Sequence, residues 1–157
     1  MKNFHKRDAL ELGTIMLCIF VFSFLLNFLW EALHAVYLYQ RHDLDASNYV
    51  PMLLYVSSVD SLIIMGLYIG VAAMWMNFFW IKFFRRTQLF VFAGIGVLIA
   101  AIIETVSVFY YHRWVYKKIM PTVFGIGISP LVQLSITGLL AVWLTRELLY
   151  GKGFLSK

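Results

Sequence analysis

Four stretches of this chain are each apolar over about 20 residues or more, the length a helix needs to cross the hydrocarbon of a bilayer. They run from Leu10 to Leu38, Pro51 to Phe79, Leu89 to Tyr111 and Ser129 to Tyr150. Runs of this length read as spanning helices, because backbone polar groups in hydrocarbon must bond within their own segment. The pattern predicts an all-α fold: an integral membrane four-helix bundle forming one domain over residues 1–157. Pro51 and Pro130 fall at predicted first turns, where a missing N–H breaks no helical bond. Only 13% of the 157 residues are charged and 62% are hydrophobic. A soluble domain carries roughly 25% charged residues.

The basic residues orient the bundle. Lys2, Lys6 and Arg7 precede the first span, Lys82, Arg85 and Arg86 lie between the second and third, and Arg146, Lys152 and Lys157 close the chain. Together they are nine of the thirteen Lys and Arg. The positive-inside rule then predicts a multi-pass inner (plasma) membrane protein with both termini cytoplasmic and loops one and three outside. The net charge of +5 is read as these basic segments, with no nucleic acid as partner. The segment MKNFHKRDALELG places basic residues before an apolar run, as a signal peptide does. The run from Thr14 to Trp30 is long for that and has no small-residue cleavage site, so it reads as a retained first span. Cys18, the single cysteine, has no internal disulfide partner and reads as filler. Tyr37, Tyr39, Tyr49 and Tyr55 on one side, and Trp75, Phe78, Phe79 and Trp80 on the other, read as aromatic belts.

The polar residues inside the spans fall into stripes. Asn27, Glu31 and His34 are spaced i, i+4, i+7; Ser57, Asp60 and Ser61 are spaced i, i+3, i+4; Ser129, Gln133 and Thr137 are spaced i, i+4, i+8. Each spacing puts its residues on one helix face. At about 1.5 Å per residue, Glu31, Asp60, Glu104 and Gln133 fall at a similar depth in the outer half. An ionisable group at a span centre costs about 2.5 kcal/mol or more, so it should turn inward and find a partner. Acids set together in such a place favour keeping a proton on one of them, the state a general acid needs. Glu31, Asp60 and Glu104 are therefore the candidate catalytic residues. Asn27, Trp30, His34, Trp114, Tyr116 and Gln133 are the candidate substrate-binding residues. The same stripes also read as interhelical glue, at about 0.6 kcal/mol per bond.

Glu31 and His34 form Glu-x-x-His, the spacing of di-iron carboxylate bundles, but those need a second copy and further glutamates. His112 lies about 12 Å along the helix from Glu104. No metal and no cofactor are expected. "RWVYKKIMPTVFGIGISPLVQL", residues 113–134, mixes aromatic and basic residues with two glycines and two prolines. It reads as a cap over the outer mouth, or as a headgroup-level loop with Arg113, Lys117 and Lys118 on lipid phosphates.

Two resemblances attach to these motifs. Trp30-Glu31 followed by Tyr37, Asp60, Glu104, and the run Trp114, Tyr116, Met120-Pro121, Gly125, Gly127, Ser129-Pro130 and Gln133 resemble a family of small bacterial inner-membrane proteins, which brings no assigned activity. That family has a glutamine and a proline after its Trp-Glu pair and a Gly-Asp pair in span two; this chain has His34 and Val59-Asp60. "NFLWE", residues 27–31, is similar to the Asn-x-x-Trp-Glu of fungal membrane-bound terpene cyclases. That likeness implies a buried acid, here Glu31, protonating an epoxide or alkene. The readings that follow are an intramembrane acid–base enzyme whose partner is a membrane lipid or isoprenoid, and a non-enzymatic binding or assembly subunit. A carrier on only four spans would need a homo-oligomer.

Overall fold

The computed structural model describes residues 6–39 and 45–151. The tail residues Lys2, His5, Lys152 and Lys157 and the loop residues Arg41, His42 and Asp43 lie outside them. Four helices carry the architecture: α1 (Lys6–Tyr37), α2 (Ala46–Met74), α3 (Arg86–Thr105) and α4 (Ile128–Tyr150). All four are long and apolar enough to cross a membrane. Helix α1 packs on α2 and α4, and α3 packs chiefly on α4. The α2–α3 seam is the loosest of the side-by-side contacts.

The first and fourth predicted spans lie within four residues of their helices, and so does the third once the π turn Val106–Tyr110 that follows α3 is included; the second is shifted. Helix α2 begins at Ala46, not at Pro51, and ends at Met74, not at Phe79. Asp45 starts it: extended backbone there lets its carbonyl take the N–H groups of Asn48 (3.1 Å) and Tyr49 (3.0 Å). Its carboxylate accepts from the Ser47 and Asn48 side chains. Pro51 thus sits inside the helix, past the first turn.

The residues after Met74 do not continue outward. They fold back as a 3₁₀ turn, Trp80–Lys82, that buries Trp80 and Ile81 completely. Trp80 stacks on Tyr68 with ring centroids 5.0 Å apart, and its indole N–H donates to the Tyr68 carbonyl. Tyr68 answers by donating its hydroxyl to the Phe78 carbonyl (2.8 Å). Trp80 is therefore core, not an interfacial belt residue: two aromatic polar atoms and two backbone carbonyls pair inside the bundle. Beside it Ile15, Ile19, Ile64, Val71, Phe92 and Val142 form an apolar core. At this end Lys82 bridges to Glu11 (2.6 Å), and the Tyr150 hydroxyl donates to the same carboxylate (2.6 Å).

Helices α3 and α4 meet closely because small residues sit at the crossing. A Cβ on Gly96 would lie 2.7 Å from the Ser135 hydroxyl. That hydroxyl instead donates to the Ala93 carbonyl across the helix pair. The apolar core around Trp80 occupies one half of the bundle. The polar stripes occupy the other.

The all-helical expectation needs one addition. Between α3 and α4, β1 (Thr122–Val123) and β2 (Ile126–Gly127) pair antiparallel. Phe124 and Gly125 make the turn, both at positive φ (52° and 79°). That is the twist a two-residue hairpin requires, and glycine at the second position takes it without strain.

Candidate functional site

Gln133 is the hub. From α4 its amide nitrogen donates to Glu31 (2.6 Å) and Asn27 (3.1 Å) of α1 and to Asp60 (3.0 Å) of α2. An amide NH₂ has two protons, so three acceptors on two helices converge on one donor group. Asn27 is held for this task. Its own NH₂ donates to the Ser23 carbonyl (2.8 Å), and its oxygen also accepts from Thr137 (3.1 Å). The predicted α1 and α4 stripes thus meet face to face. On α2, Ser57 and Ser61 are fully buried beside Asp60, and Ser61 bonds back to the Ser57 carbonyl. That bond stays within its own helix, as serine in an apolar span commonly does.

Glu104 belongs to a second group. Helix α3 ends at Thr105 and widens into a π turn over Val106–Tyr110. The Tyr111 N–H bonds the Val106 carbonyl and Arg113 the Ser107 carbonyl. The widening keeps Glu104 and Ser107 buried while the chain turns back over them, a role π turns often have near functional sites. One oxygen of Glu104 then accepts from the Trp114 indole (3.3 Å) and the Tyr116 hydroxyl.

Residues 113–127 form an ordered lid over this end. Tyr39 and Tyr116 bridge by backbone and stack their rings at 5.7 Å, and Trp114 tilts against Tyr39 at 5.9 Å. Lys117 donates its backbone N–H to Leu38 and its ammonium to the Val36 carbonyl (2.7 Å), the cation-to-helix-end pairing the helix dipole favours. Met120 is buried beneath. Lys117 is thereby engaged with α1, while the hairpin tip Phe124 is fully exposed.

Under the lid lies a cavity of about 470 Å³, within the range of small-molecule sites. Glu31, Asp60, Glu104, Gln133 and Trp114 line it. The three predicted acids, from three helices, therefore share one space, with Gln133 from the fourth. The other predicted residues stand behind its wall. Asn27 orients Gln133, and Tyr116 holds Glu104. His34 bonds Ser129 through Nε2 (2.6 Å) and rests edge-on against Trp30 and Tyr39. Trp30 contacts His34 and does not reach the wall, because it projects one residue off the stripe. The Trp30 indole N–H and His34 Nδ1 are buried without a partner among the described residues. No family model, curated protein or solved structure matches this chain. Its chemistry is read from its own geometry.

Among the wall residues that the sequence reading does not assign to the site, four carry polar groups: Tyr39, Tyr55, Ser107 and Arg113. Ser107 lies i+3 from Glu104, a spacing that could have found it. Tyr39 was assigned to an aromatic belt but is buried; its burial depends on a contact 77 residues away along the chain. Among the described residues no three His, Cys, Asp or Glu side chains come close enough to hold a metal. Glu31 is turned to Gln133 and His34 to Ser129, so the Glu-x-x-His pair diverges.

The lid tyrosines set a pH limit. Burial raises the Tyr39 hydroxyl above its ordinary value, and the charges of Glu104, Glu31 and Asp60 add to this. Burial, then the bond to Glu104, raises Tyr116 likewise. A folded state that holds phenolic protons more tightly than the unfolded chain is fully supported below about pH 10 and loses that support as pH rises beyond it. Trp114 fluorescence should therefore hold steady to about pH 10 and report lid release above it. Tyr116→Phe should weaken the lid at every pH, because Glu104 loses a donor, and should shrink the alkaline change, because one of the two titrating phenols is gone.

Proposed function

We propose that this is a multi-pass inner-membrane protein with cytoplasmic termini, and that its lidded cavity is an acid–base site acting on a lipid or isoprenoid, in the manner of a cyclase or isomerase. The basic segments at the two tails and between α2 and α3 support the orientation. Leu17, Leu25, Leu29, Leu62, Leu98 and Phe90, each more than half exposed, support the bilayer as solvent, since water-soluble surfaces avoid such contiguous apolar cover.

The observation that carries the chemistry is the shared amide. Two carboxyl groups on one donor in a desolvated space hold one proton between them more favourably than two charges. The Glu31–Asp60 pair is then the acid. It gives its proton to an alkene, whose π pair forms the new C–H bond and leaves a cation on the other carbon; with an epoxide, an oxygen lone pair takes the proton and the C–O bond breaks onto oxygen to leave the cation. Trp114 and Tyr39 line the same space and are the aromatic side chains placed to stabilise the cation this creates. Glu104, held as an acceptor by Trp114 and Tyr116, takes a proton from a neighbouring carbon, whose C–H electrons close the new double bond. One proton enters and one leaves, so the product is an isomer of the substrate. The lid excludes water from the cation.

The hub also favours a second reading, a binding or assembly subunit whose polar layer only ties helices together. Untargeted lipid profiling of a deletion strain separates the two. On the enzymatic reading a lipid accumulates, and wild-type protein clears it while Glu31→Gln does not. An unchanged profile across lipid classes supports the subunit.

A further inference from the structure

The cavity has a floor, two sides and a roof. Glu31 of α1 with Gln133 and Leu134 of α4 make the floor, the lid makes the roof, and α2 and α3 supply the sides. The sides come from the two neighbouring helices that pack least against each other. On them Tyr55 is 71% exposed and Ile103 38% exposed, although both line the cavity. Wall residues that also face outward mark a mouth, and in a bundle that spans a bilayer a mouth between two helices opens toward the acyl chains. The seam itself is apolar: Met52, Val56, Val59 and Ile63 on α2 and Ile103 on α3.

The polar end of the cavity has a bias too. Its amide and indole donors are committed to carboxyl oxygens, the Gln133 amide to Glu31 and Asp60 and Trp114 to Glu104; the wall also carries the hydroxyl-bearing side chains Tyr39, Tyr55 and Ser107. What the wall offers a ligand is acceptor capacity on three acids, with hydroxyls that donate or accept beside them. The one cationic side chain on the wall among the described residues, Arg113, is exposed and lies over the Tyr111 ring at 5.1 Å.

Building on the acid–base reading, we propose that ligand enters sideways from the bilayer between α2 and α3, and that it is a single apolar chain ending in an uncharged hydroxyl. The chain follows the apolar seam, and the hydroxyl donates to the acids. A carboxylate or phosphate end would face three carboxyl groups. An ammonium end would have to cross a seam with no polar partner, at the cost of a charge in hydrocarbon.

The test uses purified protein in nanodiscs and one brominated chain ended by hydroxyl, ammonium or carboxylate. Bromine quenches Trp114 on the cavity wall, and Trp114→Phe gives the background from the other tryptophans. The hydroxyl probe should quench saturably, at least about tenfold more tightly than either charged probe. Val59→Phe and Ile103→Phe should weaken it by about tenfold or more. Ile102→Phe, which faces away from the cavity, should bind as wild type does. Equal or tighter binding of a charged probe overturns the hydroxyl assignment; seam variants that bind normally overturn the route. If a seam variant does not fold, a photoactivatable long-chain alcohol on wild-type protein decides the route. It should label peptides from residues 52–63 and 100–107, and label confined to other peptides overturns the proposal. Every readout is binding. Hydroxyl binding through the seam with no lipid turnover sinks the acid–base reading alone, and turnover that survives a blocked seam sinks this one alone.

Discussion

A Glu31→Gln protein is expected to turn over its lipid about 10²–10⁴-fold more slowly, the range a positioned acid contributes, while melting at the wild-type temperature or above it. The amide is nearly isosteric and keeps an oxygen for the Gln133 amide, which reaches Glu31 at 2.6 Å. It loses only the transferable proton and a desolvated charge. Asp60→Asn should behave alike, and the double variant should be little worse than either single, because residues that act as one unit are not additive. Unchanged turnover together with a lowered melting temperature would place both residues in a structural layer. Catalytic groups are often held at some cost to stability, so removing one often leaves the fold as firm or firmer.

Gln133→Leu should do the opposite and lose stability. It removes the donor shared by Asn27, Glu31 and Asp60. Interhelical hydrogen bonds in membranes average about 0.6 kcal/mol and reach about 1.7, and bonds to charged groups run to about 1.5–3. Three bonds, two of them to carboxyl groups, give an expected loss of about 2–4 kcal/mol in detergent unfolding. Asn27 retains its bond from Thr137, so the larger share of the loss should come from the acids. A cycle with Asp60→Asn tests this: the two changes together should cost less than their sum. A loss below about 0.5 kcal/mol for Gln133→Leu, within the range of ordinary surface changes, would mean that the hub holds nothing.

The lid explains where sequence reading stopped short. Arg113, Lys117 and Lys118 were consistent with a cap and with a headgroup loop. Local composition does not separate these, because either uses the same aromatic and basic residues. What separates them is the partner: Lys117 on the end of α1, and Trp114 and Tyr116 on Glu104. Trp80 and Tyr39 failed as belt residues for the same reason. Aromatic rings near a span end are read as interfacial by position, and only the fold-back after α2 and the bridge to Tyr116 bury them. Pro51 misled because proline is tolerated beyond a first turn when another residue, here Asp45, starts the helix.

The sequence by itself determined the four helices and the inward stripes. Apolar length and i, i+4 spacing act within one segment, and no other part of the chain is needed to express them. Tertiary structure alone decided that Glu31 and Asp60 share one amide while Glu104 is held by the lid, and that the space between them opens at the α2–α3 seam. Those facts depend on how far each helix is rotated and shifted against its neighbours. That is fixed by close packing at residues such as Gly96 and by pairings between distant segments, which no local pattern records.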